Sequence, residues 1–134
     1  MLHRSCMLNA ANSQIHMICV VDDDPFVRSG TVDLLNSLGH PTVAFESAEK
    51  FLDSEHVNGC LCLILDQQLP GLNGLELQHR LLVTGSQTAI IFITAFPDPQ
   101  SRERALKAGA VAYLPKPYEQ NDLAAALETI SSMR

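Results

Sequence analysis

Five residues carry the chemistry latent in this chain: Asp22, Asp23, Asp66, Thr94 and Lys116. Each stands just past a short apolar run. His16–Val21 precedes the acidic doublet, Leu61–Leu65 precedes Asp66, Thr88–Ile93 precedes Thr94, and Ala110–Leu114 is separated from Lys116 by Pro115 alone. Runs of this length and apolarity read as strands, the third of them buried on both faces. Positions beyond the C-terminal ends of parallel strands share one edge of the sheet, where open α/β folds keep their sites. Three acids, a hydroxyl and a lysine would therefore meet there.

Such a cluster has defined electrostatics. Two carboxylates about 5 Å apart repel by roughly 3 kcal/mol at an effective dielectric of about 20. Lys116 supplies one compensating charge. A divalent cation would supply two more, and hard oxygen donors suit Mg²⁺. Metal and lysine together would neutralise an incoming phosphoryl group, the main requirement of phosphoryl transfer. Asp66 is then the acceptor, its carboxylate forming an acyl phosphate. The Thr94 hydroxyl is placed to bond a phosphoryl oxygen.

The elements that must position these groups follow from periodicity. Asp24-Pro25 opens a first helix, the aspartate as cap and the proline in its first turn. Phe26, Gly30, Leu34 and Leu38 recur on one face, with Val27, Thr31 and Leu35 beside them, and Gly39 ends the helix. Pro41–Phe45 is a shorter, less apolar strand, expected at an edge. Ser47 opens a short helix carrying Ala48, Phe51, Leu52 and Glu55, and Asn58-Gly59 turns into the third strand. Gly74–Val83 is a helix with Leu75, Leu77, Leu81 and Leu82 as its apolar set. Ser101–Ala108 is a polar helix closed by Gly109. Leu123, Ala126, Leu127 and Ile130 mark the last helix. Five strands alternating with five helices through short connections require parallel pairing with right-handed crossovers.

Composition sets the outer bounds. With 134 residues, 46% hydrophobic and 18% charged, the chain is sized for one core. A net charge of −6 argues against nucleic-acid binding by its own surface. No apolar run approaches the roughly 20 residues of a membrane span, and residues 1–14 lack the continuous apolar core of a signal peptide. Those residues are expected to be a flexible extension, with residues 15–134 forming the domain and a cytoplasmic location. The four cysteines include no Cys-x-x-Cys and read as buried or incidental thiols.

At this point the chain resembles the receiver domains of bacterial two-component response regulators. The resemblance runs from Ile15 to Ile130. It rests on Val-Val-Asp22-Asp23-Asp24, Asp66-x-x-x-Pro70-x-x-Asn73-Gly74, Thr94-Ala95, Lys107-Ala108-Gly109-Ala110 and Tyr113-Leu114-Pro115-Lys116-Pro117, in that order. The segment Ala-Gly-Ala-x-x-Tyr-Leu-Pro-Lys-Pro-Tyr is similar to the FixJ type, whose full-length members carry a DNA-binding domain. The resemblance implies a flavodoxin-like (CheY-like) fold, a doubly wound five-stranded parallel sheet of order 2-1-3-4-5 flanked by five helices. It implies that Asp66 is the phosphoacceptor, served by Thr94 and Lys116. Asp23 and Asp66 would hold Mg²⁺ with the backbone carbonyl of Gln68, and Asp22 would act mostly through water. Tyr113 would be an aromatic switch that turns inward when Thr94 moves. A cis Lys116-Pro117 bond is also implied.

The implied role is a phosphorylation-dependent signalling switch rather than an enzyme, with self-phosphorylation and slow autodephosphorylation as its only chemistry. The implied partners are a sensor histidine kinase, a second copy on phosphorylation, and an output domain outside this chain, since nothing after Ser131 could form one. The surface of helix four, strand five and helix five would carry the change. Alternatives are a stand-alone receiver acting as phosphate sink or binding module, and a metal-dependent aspartyl phosphohydrolase. The haloacid-dehalogenase type of the latter needs Asp-x-Asp, and Gln68 stands in the second place. Two departures from the family pattern are Leu69, where methionine is common, and the bulky Phe96-Pro97 after Thr94, expected to restrict attacking water.

Overall fold

The computed structural model describes residues 17–133. The expected extension over residues 1–14, and the start of the first strand at His16, lie outside the described residues. Five strands, β1 (Ile18–Val21), β2 (Thr42–Phe45), β3 (Cys62–Asp66), β4 (Ala89–Thr94) and β5 (Ala112–Pro115), form one sheet of order β2-β1-β3-β4-β5. Every pairing is parallel, with Val21 opposite Leu65 and Asp66 opposite Ile93. The helices are α1 (Pro25–Ser37), α2 (Ala48–Leu52), α3 (Gly74–Val83), α4 (Pro99–Lys107) and α5 (Gln120–Ser132). This is the doubly wound architecture that the alternation of elements predicts.

Helices on both faces explain the unbroken apolar strands. Every residue of β1 and β3 is buried. Their side chains alternate between two cores. Cys19, Val21, Leu63, Leu65 and Phe92 meet α2, α3 and α4 through Ala48, Phe51, Leu77, Leu81 and Ala105. Ile18, Val20, Ile64, Ile91 and Ile93 meet α1 and α5 through Leu35, Leu123, Ala126, Leu127 and Ile130. Cys19, Cys60 and Cys62 are buried free thiols, as composition predicts. Strand β2 is an edge and only partly buried.

Several boundaries and faces differ from the sequence reading, each for a local reason. The Phe26–Gly30–Leu34–Leu38 stripe is not the buried face of α1. Thr31 and Leu35 are buried while Phe26 is 88% exposed, because a strict four-residue stripe drifts around a 3.6-residue helix. On α3, Leu82 faces solvent, and Gly74 and Gln78 complete the buried face instead. The helix expected from Ala48 to Glu55 stops at Leu52, and a 3₁₀ turn (Glu55–Asn58) follows, capped by Ser54 Oγ. Helix α4 begins at Pro99 rather than Ser101, because Asp98 Oδ2 accepts from Ser101 N–H at 3.0 Å. Strand β5 begins at Ala112 rather than Ala110. The Ala110 N–H is taken by Ala105 O at 3.0 Å, and Val111 makes the first link to β4.

Among the five α-helices, α4 is the one held least by the core. Ala105 is its one buried residue. Gln78, buried on α3, supplements this by donating Nε2–H to Ala105 O at 3.0 Å. Gln78→Leu removes that bond while keeping the volume. It is expected to cost about 1 kcal/mol in urea unfolding and to speed amide exchange in α4 ahead of the other helices. Uniform exchange across all helices would contradict the weak attachment of α4.

Candidate functional site

The C-terminal strand ends converge as the sequence predicts. Asp66 closes β3 and is 3% exposed, Asp22 follows β1 and is fully buried, and Thr94 closes β4, also fully buried. Asp23 is exposed beside them, and Asp22, Asp23 and Asp66 each offer a carboxylate oxygen within 4.8 Å of the others. Lys116, just past β5, reaches in. Its Nζ donates to Asp66 Oδ2 at 3.2 Å and stands 3.1 Å from Asp22 Oδ2. The second approach is an ion pair without hydrogen-bond geometry, so Asp22 Oδ2 is buried with no hydrogen-bond donor. The Lys116-Pro117 peptide is cis, as the family resemblance implies.

Local bonds fix each group. Asp22 Oδ1 accepts from the Asp24 N–H at 2.9 Å, and its backbone carbonyl accepts from Arg28 Nη1 at 2.8 Å. Asp24 is the cap of α1, accepting from the Phe26 and Val27 N–H groups, and does not join the carboxylate cluster. Asp66 Oδ1 accepts from the Gln68 N–H at 3.1 Å. The Lys116 N–H donates to Thr94 O at 2.7 Å, tying the lysine's backbone to β4. Asn73 caps α3 in a reciprocal box with Glu76. Gly74 is obligatory here: a Cβ would lie 2.5 Å from the Asp66 carbonyl oxygen and 3.1 Å from the Phe92 ring. The helix that follows the loop thus packs directly onto the backbone of the acidic residue.

Charge balance is uneven. Burial raises the Asp66 carboxyl to about 6, the nearby Asp22 charge adds to the rise, and Lys116 and the Gln68 N–H only partly oppose it. Burial works against the Lys116 charge, but its close ion pairs with Asp22 and Asp66 and its hydrogen bond to Asp66 prevail and hold its pKa above the ordinary lysine value. One ammonium among three carboxylates leaves an excess of negative charge. Hard oxygen donors, one of them a buried oxygen without a hydrogen bond, fit a divalent cation of the Mg²⁺ kind.

Thr94 and Tyr113 are in the neighbourhood but engaged elsewhere. Thr94 Oγ1 donates to Gln68 Oε1 at 2.6 Å and accepts from the Phe96 N–H at 3.0 Å. Tyr113 already points inward, 8% exposed, and its hydroxyl donates to Gln67 Oε1. The Phe96 ring stands 73% exposed rather than folded over the cluster. Sequence reasoning missed the side-chain bonds of Gln67 to Tyr113, Gln68 to Thr94 and Arg28 to the Asp22 carbonyl, and the bond between the Thr31 and Tyr118 hydroxyls that fastens α1 to the segment after Lys116. A glutamine or a hydroxyl gives no signal of its own; only its partner, distant in sequence, reveals it.

The fold and this acidic pocket define an α/β domain of the receiver class. A family model of the response regulator receiver domain matches residues 18–128, and the chain belongs to that family. The response regulator protein TmoT of Ectopseudomonas mendocina is 38% identical over 118 residues, which cover 88% of this chain and 54% of that protein. The transcriptional regulatory protein FixJ of Bradyrhizobium diazoefficiens is 36% identical over 112 residues, 84% of this chain and 55% of that protein. Among solved structures, the response regulator StyR superposes with a TM-score of 0.77 at 41% identity, covering 84% of this chain and 57% of that one. The chain therefore spans about half the length of the curated relatives it matches. Receiver domains of response regulators are signalling proteins, and among the described residues no helix is long and apolar enough to cross a membrane.

The raised Asp66 pKa makes a stability prediction for the metal-free protein. A carboxyl that binds its proton more tightly when folded favours the folded state at low pH, and that contribution is lost as pH rises through about 6. Asp66→Asn, which cannot ionise, is expected to raise the melting temperature at pH 7.5 by roughly 5 °C. The gain should shrink as pH falls below about 6. A gap that widens on acidification would contradict the assignment.

Proposed function

We propose that the chain is the receiver of a two-component system and that Asp66 accepts a phosphoryl group from the phosphohistidine of a sensor kinase. The observation that supports this most is the Lys116 ammonium set between the buried carboxylates of Asp22 and Asp66. An Asp66 carboxylate oxygen forms the new bond to phosphorus. The bond from phosphorus to the donor imidazole breaks, and its electron pair stays on that nitrogen, which takes up a proton. Asp22, Asp23, Asp66 and the Gln68 backbone carbonyl would hold Mg²⁺, which when bound offsets charge on the phosphoryl oxygens. Lys116 exchanges its Asp66 contact for a phosphoryl oxygen while keeping the Asp22 contact. The Thr94 hydroxyl leaves Gln68 Oε1 to donate to another.

The readout follows from that last exchange. Thr94 carries the end of β4, so its movement shifts the loop leading into the loosely held α4. The α4–β5–α5 surface then changes its packing, a shift between two populations rather than a new fold. That surface would bind a partner, a second copy of the chain, or a transcriptional output domain of the sort the name of the FixJ relative describes. Residues 15–134 would act as one receiver unit in a cytoplasmic signalling protein, with residues 1–14 as an appendage.

Incubation with Mg²⁺ and a small phosphodonor, read by intact mass, tests the proposal. One phosphoryl group per chain is expected, none for Asp66→Asn. Asp23→Ala is expected to slow the gain at least tenfold at low millimolar Mg²⁺ by weakening the metal site. Continuous turnover of a phosphate ester without a stable mass gain would overturn the switch in favour of a hydrolase.

A further inference from the structure

Gln67 directly follows the acidic residue, and the sheet alternation sends its side chain away from the pocket toward β5. There its Oε1 accepts the hydroxyl of Tyr113. The same phenol oxygen accepts the Asp98 N–H at 3.3 Å. Asp98 is the cap of α4, its Oδ2 accepting from both the N–H and the Oγ of Ser101. The Tyr113 ring packs 6.3 Å from Phe92, centroid to centroid, and is almost fully buried. One phenol thus joins three places: the residue after Asp66, the strand β5, and the N-terminus of the helix least held by the core. Gln67 makes the inward position of Tyr113 favourable by supplying an acceptor that the apolar surroundings do not.

We propose that Gln67 is the positioning residue that latches Tyr113 inward before any phosphoryl group arrives, and that through Tyr113 it fastens the start of α4. The inward ring is then set by the side chain after the acceptor and not by displacement of Thr94, whose hydroxyl is bonded to Gln68 in the same structure. The latch itself stands on its own hydrogen bonds. Its consequence for signalling, a coupling of α4 to the phosphorylation site, rests on the reading of Asp66 given above.

The chain has two tyrosines, so 3-fluorotyrosine labelling with Tyr118→Phe for assignment isolates Tyr113 in a fluorine NMR spectrum. A single, solvent-shielded resonance is expected for the wild-type Gln67 chain. Gln67→Met, of similar length but with only a weakly accepting thioether in place of the amide oxygen, should add a second, solvent-exposed resonance. Gln67→Glu, which restores an oxygen acceptor, should remove it. Exchange of the Asp98 amide should quicken about fivefold in Gln67→Met, the worth of one neutral hydrogen bond. It should quicken as much in Tyr113→Phe, and no further in the double variant, because both lesions break one chain of bonds. A Gln67→Met chain whose Tyr113 resonance stays single and shielded overturns the latch, as does additive quickening in the double variant. Mass gain from a phosphodonor, measured on the same samples, reports separately on Asp66: its absence in the wild-type chain would count against the phosphoacceptor and leave the latch result standing.

Discussion

One ammonium group between two buried carboxylates governs this molecule. Burying Asp22 and Asp66 side by side costs free energy through lost hydration and mutual repulsion. Lys116 offsets part of that cost, with Nζ 3.1 Å from Asp22 and 3.2 Å from Asp66. The remainder appears in the upward shift of Asp66 and in the unbonded Asp22 Oδ2. An acidic pocket left short of positive charge fits a cation, and on the function proposed above that cation and the lysine would together receive a phosphoryl group. The same imbalance that weakens the resting fold is what makes the site receptive.

The rest of the structure brings these groups to one point and connects them to the surface. A fully parallel sheet puts the ends of β1, β3, β4 and β5 on one edge. Helices on both faces make those strands rigid. The absence of a Cβ at Gly74 lets α3 pack against the Asp66 backbone. From this rigid centre two short hydrogen-bond paths lead outward. One runs from Gln68 through Thr94 to the Phe96 amide, and the other from Gln67 through Tyr113 to Asp98. Both end at the loop that begins α4. On the function proposed above, a packed pocket coupled to a loosely held helix would be the physical form of a switch.

Much of this was legible in the sequence because it rests on local order. Apolar runs ending in Asp22, Asp66 and Thr94, and Pro-Lys-Pro around Lys116, locate the pocket without any knowledge of contacts. The apolar spacing of Leu123, Ala126, Leu127 and Ile130 matches the buried face of α5. What failed was rotation and partnership. The face of α1 was misjudged because Phe26 and Leu38 are apolar but lie off the axis that Thr31 and Leu35 define. The Tyr113–Gln67 bond spans 46 residues, the Tyr118–Thr31 bond 87 and the Thr94–Gln68 bond 26. No periodicity marks such pairs, and glutamine is unremarkable on any scale. Family resemblance pointed to the residues that cluster at the strand ends but not to the side chains that hold them.

The central claim is that the chemistry occurs on Asp66 itself. Acyl phosphates are cleaved by borohydride, which converts the modified aspartate to homoserine. Treating the chain with Mg²⁺ and a small phosphodonor, reducing it with borohydride and mapping the peptides by mass therefore locates the modified residue directly. Homoserine at position 66 and nowhere else is the result this account predicts. Homoserine at position 22 or 23, or an intact aspartate at all three, would contradict it.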